Sequence, residues 1–280
     1  AFLYCNSLTS VAIPNRVTSI GDRAFQNCNS LTSVIWNAED CADFSEGYHT
    51  FYTTESQITS FTFGDNVKHI PAYLCYDMNN LTSIVIPNSV TSIGKRAFYG
   101  CSGLTSVAIP HGVTSIGSGA FQYCNSLISV TWNAENCADF SEGYYTFYTT
   151  ESQMTSFIFG DNVKHIPAYL CYDMNNLTSI DLPNSVTSIG EQAFCLCSGL
   201  TSVTIPNSVT SIGERAFYGC WNLTSIIWNA ENCTNFSDSF YAPFYGCTAQ
   251  ITSFTFGDSV KHVPAYLCYD MNNLTSIVIP

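Results

Sequence analysis

The chain of 280 residues carries a net charge of −13, from 8 basic and 21 acidic residues, and charged residues make up only 10% of it. So few basic residues, without a run of them, cannot form a phosphate-binding surface, so nucleic acids and anionic membranes are disfavoured as partners. A hydrophobic content of 46% excludes a disordered acidic tail. No apolar stretch reaches about 18 residues, so no transmembrane segment is expected in this chain.

One unit of 23 to 28 residues repeats along the whole sequence. It opens with variations of Leu-Thr-Ser-(Val/Ile)-x-Ile-Pro, and its first residues are Leu8, Leu31, Ile58, Leu81, Leu104, Leu127, Met154, Leu177, Leu200, Leu223, Ile251 and Leu274. Four units make a super-repeat of 96 residues. We predict a single solenoid over residues 1–280, with super-repeats 1–96, 97–192 and 193–280. Both ends fall inside a unit, so we expect the chain to be part of a longer array.

Each unit is predicted to form one coil of the solenoid. In the unit 200–222, Val203 and Ile205 alternate as in a strand, and a proline follows that ends it. Val209 and Ile212 form a second short apolar pair, and an Ala-Phe-x-x-Cys segment follows at the spacing of a helical or tight turn. One coil cannot bury enough apolar surface to fold alone, so successive coils must stack.

The unit Leu-Thr-Ser-Val-x-Ile-Pro-x-x-Val-Thr-Ser-Ile-Gly-x-x-Ala-Phe-x-x-Cys-x-x resembles the BspA-type leucine-rich repeat of bacterial and protist surface proteins, and the resemblance covers all twelve units. It implies an α/β-type repeat solenoid. This would be a right-handed leucine-rich-repeat coil with parallel strands on the concave face and short strands, turns and helical turns on the convex side. It also implies extracellular exposure and non-enzymatic adhesion to matrix proteins or other cells.

The strand face of this fold usually binds ligands, but here its composition is monotonous. A serine stands at the third position of every unit. The outward position two residues later, from Ala12 to Val278, is Ala, Thr, Val or Ile in every unit except at Asp181. Aromatic and arginine anchors of a specific interface are missing there. We expect the Ser/Thr rows mainly to support strand stacking, with a repetitive face for glycan, ice or self-association as the alternative.

The second unit of each super-repeat contains a longer segment rich in aromatic and acidic residues. Irregular segments on a rigid scaffold often carry contacts, so we predict binding residues at Trp36, Phe44, Tyr48, Trp132, Phe140, Tyr144, Trp228, Phe236 and Phe240. Glu39, Asp43 and Glu46 could gather Ca²⁺, but their spacing does not match a calcium loop. We favour a solvated acidic edge and predict no metal site.

Three equivalent histidines test the enzyme hypothesis. His69, His165 and His262 lie four coils apart, which is about 20 Å at about 4.8 Å per strand, so they cannot converge on one substrate. The sequence lacks a GxSxG elbow, a phosphate loop and an HExxH motif. We therefore predict that the protein is not an enzyme and needs no cofactor.

The fourteen cysteines recur with the repeat, which favours buried small apolar residues. Neighbouring-coil pairs such as Cys5 and Cys28 also have a plausible spacing for disulfides. Cys195 and Cys247 break the pattern and could pair locally.

Six N-glycosylation sequons would be surface sites in a secreted eukaryotic protein. They stand at Asn80, Asn176, Asn222, Asn232, Asn235 and Asn273, about the number that chance predicts.

Two functions fit this sequence. The first is an extracellular scaffold for cell-surface adhesion or recognition, whose partners are proteins or glycans on host or neighbouring cells. The second is a self-assembling subunit of an extracellular filament or surface array, whose partners are copies of itself.

Overall fold

A computed structural model describes residues 1–143, 145–147 and 150–279. These residues form two compact units. Unit 1 holds Ala1–Val130 with the described residues of 144–150, and unit 2 holds Thr131–Gly143 with the described residues from Glu151 onward.

Short strands are the main regular elements of both units. In chain order they are β1 (Ser10–Ile13), β2 (Ser33–Trp36), β3 (Ser60–Phe63), β4 (His69–Ile70), β5 (Ser92–Ile93), β6 (Ser106–Ile109), β7 (Ser115–Ile116), β8 (Ser129–Trp132), β9 (Ser156–Phe159), β10 (His165–Ile166), β11 (Ser188–Ile189), β12 (Ser202–Ile205), β13 (Ser211–Ile212), β14 (Ser225–Trp228) and β15 (Ser253–Phe256). Four 3₁₀ turns complete them, at Glu55–Gln57, Glu151–Gln153, Ser239–Tyr241 and Thr248–Gln250. No α-helix occurs among the described residues, and none of their helices has the length and apolarity to cross a membrane.

The four-residue strands form parallel ladders, and each coil that has such a strand contributes one to a ladder. In unit 1 the order is β1-β2-β3, and Ser10 pairs with Ser33, which pairs with Ser60. In unit 2 the order is β12-β14-β15, in the same register. Alternate side chains are buried, as the period-2 pattern predicts: β3, for example, buries Phe61 and Phe63. The predicted solenoid of parallel strands is confirmed.

The two-residue strands form a second ladder that takes over where the first one stops. It has the order β4-β5-β7 in unit 1 and β10-β11-β13 in unit 2. The coil beginning at Ile58 contributes to both ladders through β3 and β4. The coil beginning at Leu200 does the same through β12 and β13.

Twelve strands were expected at the repeated position, but nine are present in the described residues. Segments 83–86, 179–182 and 276–279 have no strand, and each belongs to the fourth coil of a super-repeat. The preceding strand always carries two buried phenylalanines, such as Phe61 and Phe63, where β1 has Val11 and Ile13. We attribute the break to the bulk of these rings, since the next coil cannot approach to the usual strand spacing.

Stacked aromatic rings fill the core on the side opposite the strands. Phe121 lies between Phe98 and Phe147, with ring centroids 5.0 and 5.5 Å away. The Ala-Phe-x-x-Cys segments form successive hydrogen-bonded turns, and Cys101 N–H donates to Phe98 O at 3.2 Å. Arginines ahead of these segments have positive φ, 51° at Arg96 and 53° at Arg215, which interrupts any helix.

All fourteen cysteines are free, and twelve of them are buried. At the repeated position the thiol donates to a carbonyl of the preceding coil, as Cys101 does to Cys75 O at 3.0 Å. Cys28 likewise donates to Phe2 O at 3.1 Å instead of bonding to Cys5, and Cys195 and Cys247 are both free and buried. Burial raises the pKa of these thiols, to about 12 for Cys124.

Candidate functional site

Six of the nine aromatic side chains predicted to bind a partner belong to the core instead. The three tryptophans are fully buried and the three equivalent phenylalanines are only 7 to 8% exposed: Trp36, Trp132, Trp228, Phe44, Phe140 and Phe236. A side chain without exposed surface cannot contact a partner. The register explains the burial, because Trp36 is the inward end of β2, paired with Ile13 of β1.

Two of the remaining predicted residues are exposed and associate with arginines. Tyr48 is 51% exposed, and its ring lies 4.7 Å from the guanidinium of Arg23, which also donates to Gly47 O. Phe240 is 55% exposed, and its carbonyl accepts from Arg215 Nε at 3.0 Å. Tyr144 lies outside the described residues. The predicted contact surface is therefore reduced to a few side chains beside Arg23 and Arg215.

Two of the three acidic residues considered for Ca²⁺, Asp43 and Glu46, are engaged in side-chain contacts with the protein. Glu46 pairs with Arg96 at 2.7 Å, and Asp43 binds His69. No group of three or more His, Cys, Asp or Glu side chains that could hold a metal ion occurs in the described part of the chain.

Asp43, His69 and Ser92 form a hydrogen-bonded chain across three successive coils, which we call the clasp. Asp43 Oδ1 lies 2.8 Å from His69 Nε2, and His69 Nδ1 lies 2.8 Å from Ser92 Oγ. Asp43 Oδ1 also accepts from the backbone N–H of Ala72 at 2.6 Å. Asp139, His165 and Ser188 repeat both side-chain distances in unit 2. Sequence reasoning compared the histidines with one another and so missed that each has its own partners.

The clasp contains the residue types of a hydrolytic triad, and its third copy shows that it has a structural role. In the third copy Asn235 replaces the aspartate, and its Oδ1 accepts from His262 Nε2 and Ala265 N, both at 2.9 Å. An amide cannot stabilise an imidazolium as a carboxylate does. The shared property is a side-chain oxygen that fixes the backbone of the following coil, so the clasp joins the insertion to the coils after it.

The broken first ladder opens a cleft on the strand side of each unit. In unit 1 it has a volume of about 290 Å³ between β3 and residues 83–85, and in unit 2 about 270 Å³ between β9 and residues 179–183. Val85, which lines the first, is 80% exposed. In the second, Asp181 replaces it.

A row of tyrosines, which sequence reasoning missed, follows one flank of the coils, two residues before the repeated cysteine position. In unit 1 it comprises Tyr52, Tyr76 and Tyr99, and in unit 2 Tyr172, Tyr218, Tyr245 and Tyr269. Arginines stack on it: Arg96 lies 5.1 Å from the ring of Tyr99, and Arg215 lies 5.8 Å from that of Tyr218. The 23-residue spacing of Tyr76 and Tyr99 was the available signal. We call this surface the tyrosine flank.

All six sequon asparagines are exposed: Asn80, Asn176, Asn222, Asn232, Asn235 and Asn273. Several donate an amide hydrogen to the preceding coil, as Asn80 does to Ser56 O at 2.7 Å. An N-linked glycan would replace only one of the two amide hydrogens, so this contact leaves modification possible.

Comparison with solved structures shows similar repeat proteins. A leucine-rich repeat protein from Bacteroides ovatus is 27% identical over 97% of this chain and 75% of its own, with a TM-score of 0.60. A leucine-rich cell surface protein from Faecalibacterium prausnitzii is 25% identical, covering 91% and 81%, with a TM-score of 0.41. The pneumococcal vaccine antigen PcpA is 19% identical, covering 96% and 77%, with a TM-score of 0.46. No curated protein sequence matches significantly.

The family of this chain is shown by the match of its sequence to a protein-family model. The model of the BspA type leucine rich repeat region matches residues 1–127, 45–177 and 164–280, which together span the whole chain. Leucine-rich repeat families are generally non-catalytic scaffolds that bind proteins. This match agrees with the parallel ladders and the 23-residue coils, and the chain belongs to the BspA-type leucine-rich repeat family.

Proposed function

We propose that this protein is an extracellular, non-enzymatic scaffold for cell-surface adhesion or for recognition of proteins or glycans. Membership of the BspA-type family supports the surface location, since the family is surface-associated. The rigid stacking of near-identical coils supports the role of a scaffold.

The tyrosine flank is the observation that carries the proposal. Tyrosine and arginine are enriched among the residues that dominate binding energy at interfaces. On the strand side, by contrast, serine, threonine and small aliphatic residues cover most of the surface. The tyrosines are partly exposed and held in place by neighbouring rings and guanidinium groups, so little side-chain entropy is lost when a partner binds.

Retention of the full chain on cells or immobilised extracellular matrix tests the proposal. We expect saturable retention that falls when Tyr52, Tyr76 and Tyr218 are changed together to serine, and that survives the change of Ile35 and Ile227 on the strand face to threonine. Absence of retention on every surface would contradict adhesion. Regular filaments of the purified chain in electron microscopy would favour the self-assembling subunit instead.

A further inference from the structure

The coils that begin at Ile58, Leu81 and Leu104 meet at a polar cleft on the tyrosine flank, with a volume of about 500 Å³. Its lining includes Tyr76, Asp77, Asn79, Tyr99, Ser102 and Asn125. The groups are hydroxyls, amides and one carboxylate, which can all accept hydrogen bonds and mostly also donate them.

The tyrosine wall of this cleft is fixed before any ligand arrives. The rings of Tyr76 and Tyr99 are stacked with centroids 4.7 Å apart and an angle of 2° between their planes. Tyr123 meets Tyr99 edge-on at 5.1 Å and keeps 40% of its surface exposed. The wall therefore presents ordered phenol groups beside an exposed aromatic ring.

The Asp77 carboxylate lies in this cleft without a hydrogen-bond partner from the described residues. Its Oδ1 occupies the space above Gly100, where an added Cβ would come within 2.0 Å. The equivalent acids of unit 2 are engaged by nearby amides: Asp173 accepts from Asn175 at 2.9 Å and Asp270 from Asn272 at 2.7 Å. Partial burial without compensation raises the pKa of Asp77, so the carboxylate would be stabilised by donors from a ligand.

The chemistry of the cleft selects among ligand classes. Arg96, which stacks on the ring of Tyr99, is already paired with Glu46 at 2.7 Å, so its charge is not free to bind an anion. A single carboxylate is too few for a metal ion. A ligand that offers many hydroxyl donors and acceptors matches the lining best, and its C–H groups can contact the exposed ring of Tyr123.

We propose that this cleft is a binding site for a neutral oligosaccharide, with the Asp77 carboxylate and the Tyr76 and Tyr99 hydroxyls as its hydrogen-bonding groups. The inference deepens the proposed recognition function and rests on it for the exposure of the protein to glycans.

The equivalent positions of unit 2 show which substitutions can be used to test the cleft. Residues 96 positions further on replace Tyr99 by Cys195 and Gly100 by Leu196, and Leu196 has a φ of 62°, so a leucine is accepted in the left-handed conformation of Gly100 (φ 71°). The variant Tyr99→Cys/Gly100→Leu therefore removes the tyrosine wall and fills the cleft with residues that the same fold already holds. Val85→Asp, copied from Asp181 on the strand face, is the matched control.

The test measures binding of the full chain to neutral hexaoses of glucose, mannose, galactose and N-acetylglucosamine, at up to about 5 mM because single-site saccharide binding is often weak. We expect at least one hexaose to bind, with affinity reduced at least tenfold in Tyr99→Cys/Gly100→Leu and in Asp77→Asn, and unchanged within twofold in Val85→Asp. Thermal unfolding checks that each variant is folded, and Asp77→Asn keeps the test valid if the double variant is not.

Two results would overturn the proposal: no hexaose binds, or binding survives both cleft variants. The cell-retention assay separates this outcome from failure of the proposed function. If cells retain the chain but either of these two results is found with the hexaoses, adhesion would stay in place and the site would be refuted. Hexaose binding without cell retention would keep the site and refute adhesion.

Discussion

Two stretches of the chain, 63–126 in unit 1 and 159–222 in unit 2, are copies of one sequence, and they differ at a limited set of positions. Residues 63–84 are identical to 159–180, and the clasp has the same distances of 2.8 Å in both. Many of the differences fall on the tyrosine flank, where Tyr99, Gly100 and Tyr123 correspond to Cys195, Leu196 and Gly219. The identical positions join the coils, and the variable ones are free to specialise.

The unit 2 stretch shows what the flank becomes without the tyrosine wall. Cys195 is only 2% exposed, and Leu196 lies against Gly219, where an added Cβ would come within 2.6 Å of its side chain. Asp173 is paired with Asn175. The same backbone therefore supports either an open polar cleft or a closed apolar contact, and four predictions examine this contrast.

The largest effect is expected from the core that both copies share. Phe121 is fully buried between two stacked rings, so Phe121→Ala should lower the free energy of unfolding by about 3–5 kcal/mol. Urea denaturation measures this. The adjacent change Gln122→Tyr, which copies Tyr218, should cost less than about 0.5 kcal/mol. Equal losses for the two variants would contradict the division between core and flank.

The clasp should tolerate an amide but not the loss of its oxygen. Asp43→Ala leaves Ala72 N–H and His69 Nε2 without their acceptor, so we expect a loss of about 2–3 kcal/mol in urea denaturation. Asp43→Asn copies Asn235 of the third copy and should cost less than about 1 kcal/mol. If Asn were as damaging as Ala, the carboxylate charge would be essential and the structural interpretation of the clasp would fail.

A buried pair in the first insertion should give opposite pH effects when its members are removed separately. His49 Nε2 lies 3.3 Å from Glu55 Oε1, and burial lowers the pKa of His49 to about 4 and raises that of Glu55 to about 7. Because its pKa is raised in the folded protein, Glu55 makes a contribution to the free energy of unfolding that is lost as the pH rises from about 4.5 to 7. Because its pKa is lowered, His49 makes a contribution that is lost as the pH falls from about 6.5 to 4.

In the native chain, the effects of Glu55 and His49 on the free energy of unfolding change with pH in opposite directions. Removing one of the two residues should therefore leave the pH dependence of the other. His49→Tyr copies Tyr145, and its stability should fall by about 2 kcal/mol between pH 4.5 and 7. Glu55→Gln should instead lose about as much between pH 6.5 and 4. Chemical denaturation across this range measures both, and slopes of the same sign would contradict the assignment.

The smallest effect on stability is expected where the copies differ most. Tyr99→Cys/Gly100→Leu/Tyr123→Gly should change the free energy of unfolding by less than about 1 kcal/mol, because Cys195, Leu196 and Gly219 are accommodated together in unit 2. Thermal unfolding monitored by circular dichroism checks it. A large loss would show that the tyrosine wall is needed for folding, and the flank would then not be free to specialise.

Sequence periodicity predicted the coil, its strands and the buried cysteines, because these depend on contacts repeated in every unit. It also contained a signal that was not used: Trp36 is the sixth residue of its unit, in register with Ile13, which places its ring inside. The three missing strands follow from the paired phenylalanines, as at Phe61 and Phe63, whose effect depends on the space available in the next coil.

The clasp and the cleft could not be predicted from one unit. Asp43, His69 and Ser92 come from three successive coils, and only the stacking register brings them together. The cleft likewise depends on which flank faces solvent and on Gly100 leaving room for Asp77. Single positions that break a repeat became informative only once the structure showed that they are neighbours.

We infer that local variation on the tyrosine flank creates a recognition site on a uniform scaffold. Transfer of the unit 1 cleft lining to the equivalent positions of unit 2 tests this inference. The variant Cys195→Tyr/Leu196→Gly/Gly219→Tyr/Trp221→Asn copies the unit 1 lining into unit 2. Titration calorimetry with the hexaose that binds the native chain counts the sites. We expect an increase from one site to two at similar affinity, whereas a folded graft that still shows one site would contradict the proposed role of the tyrosine flank.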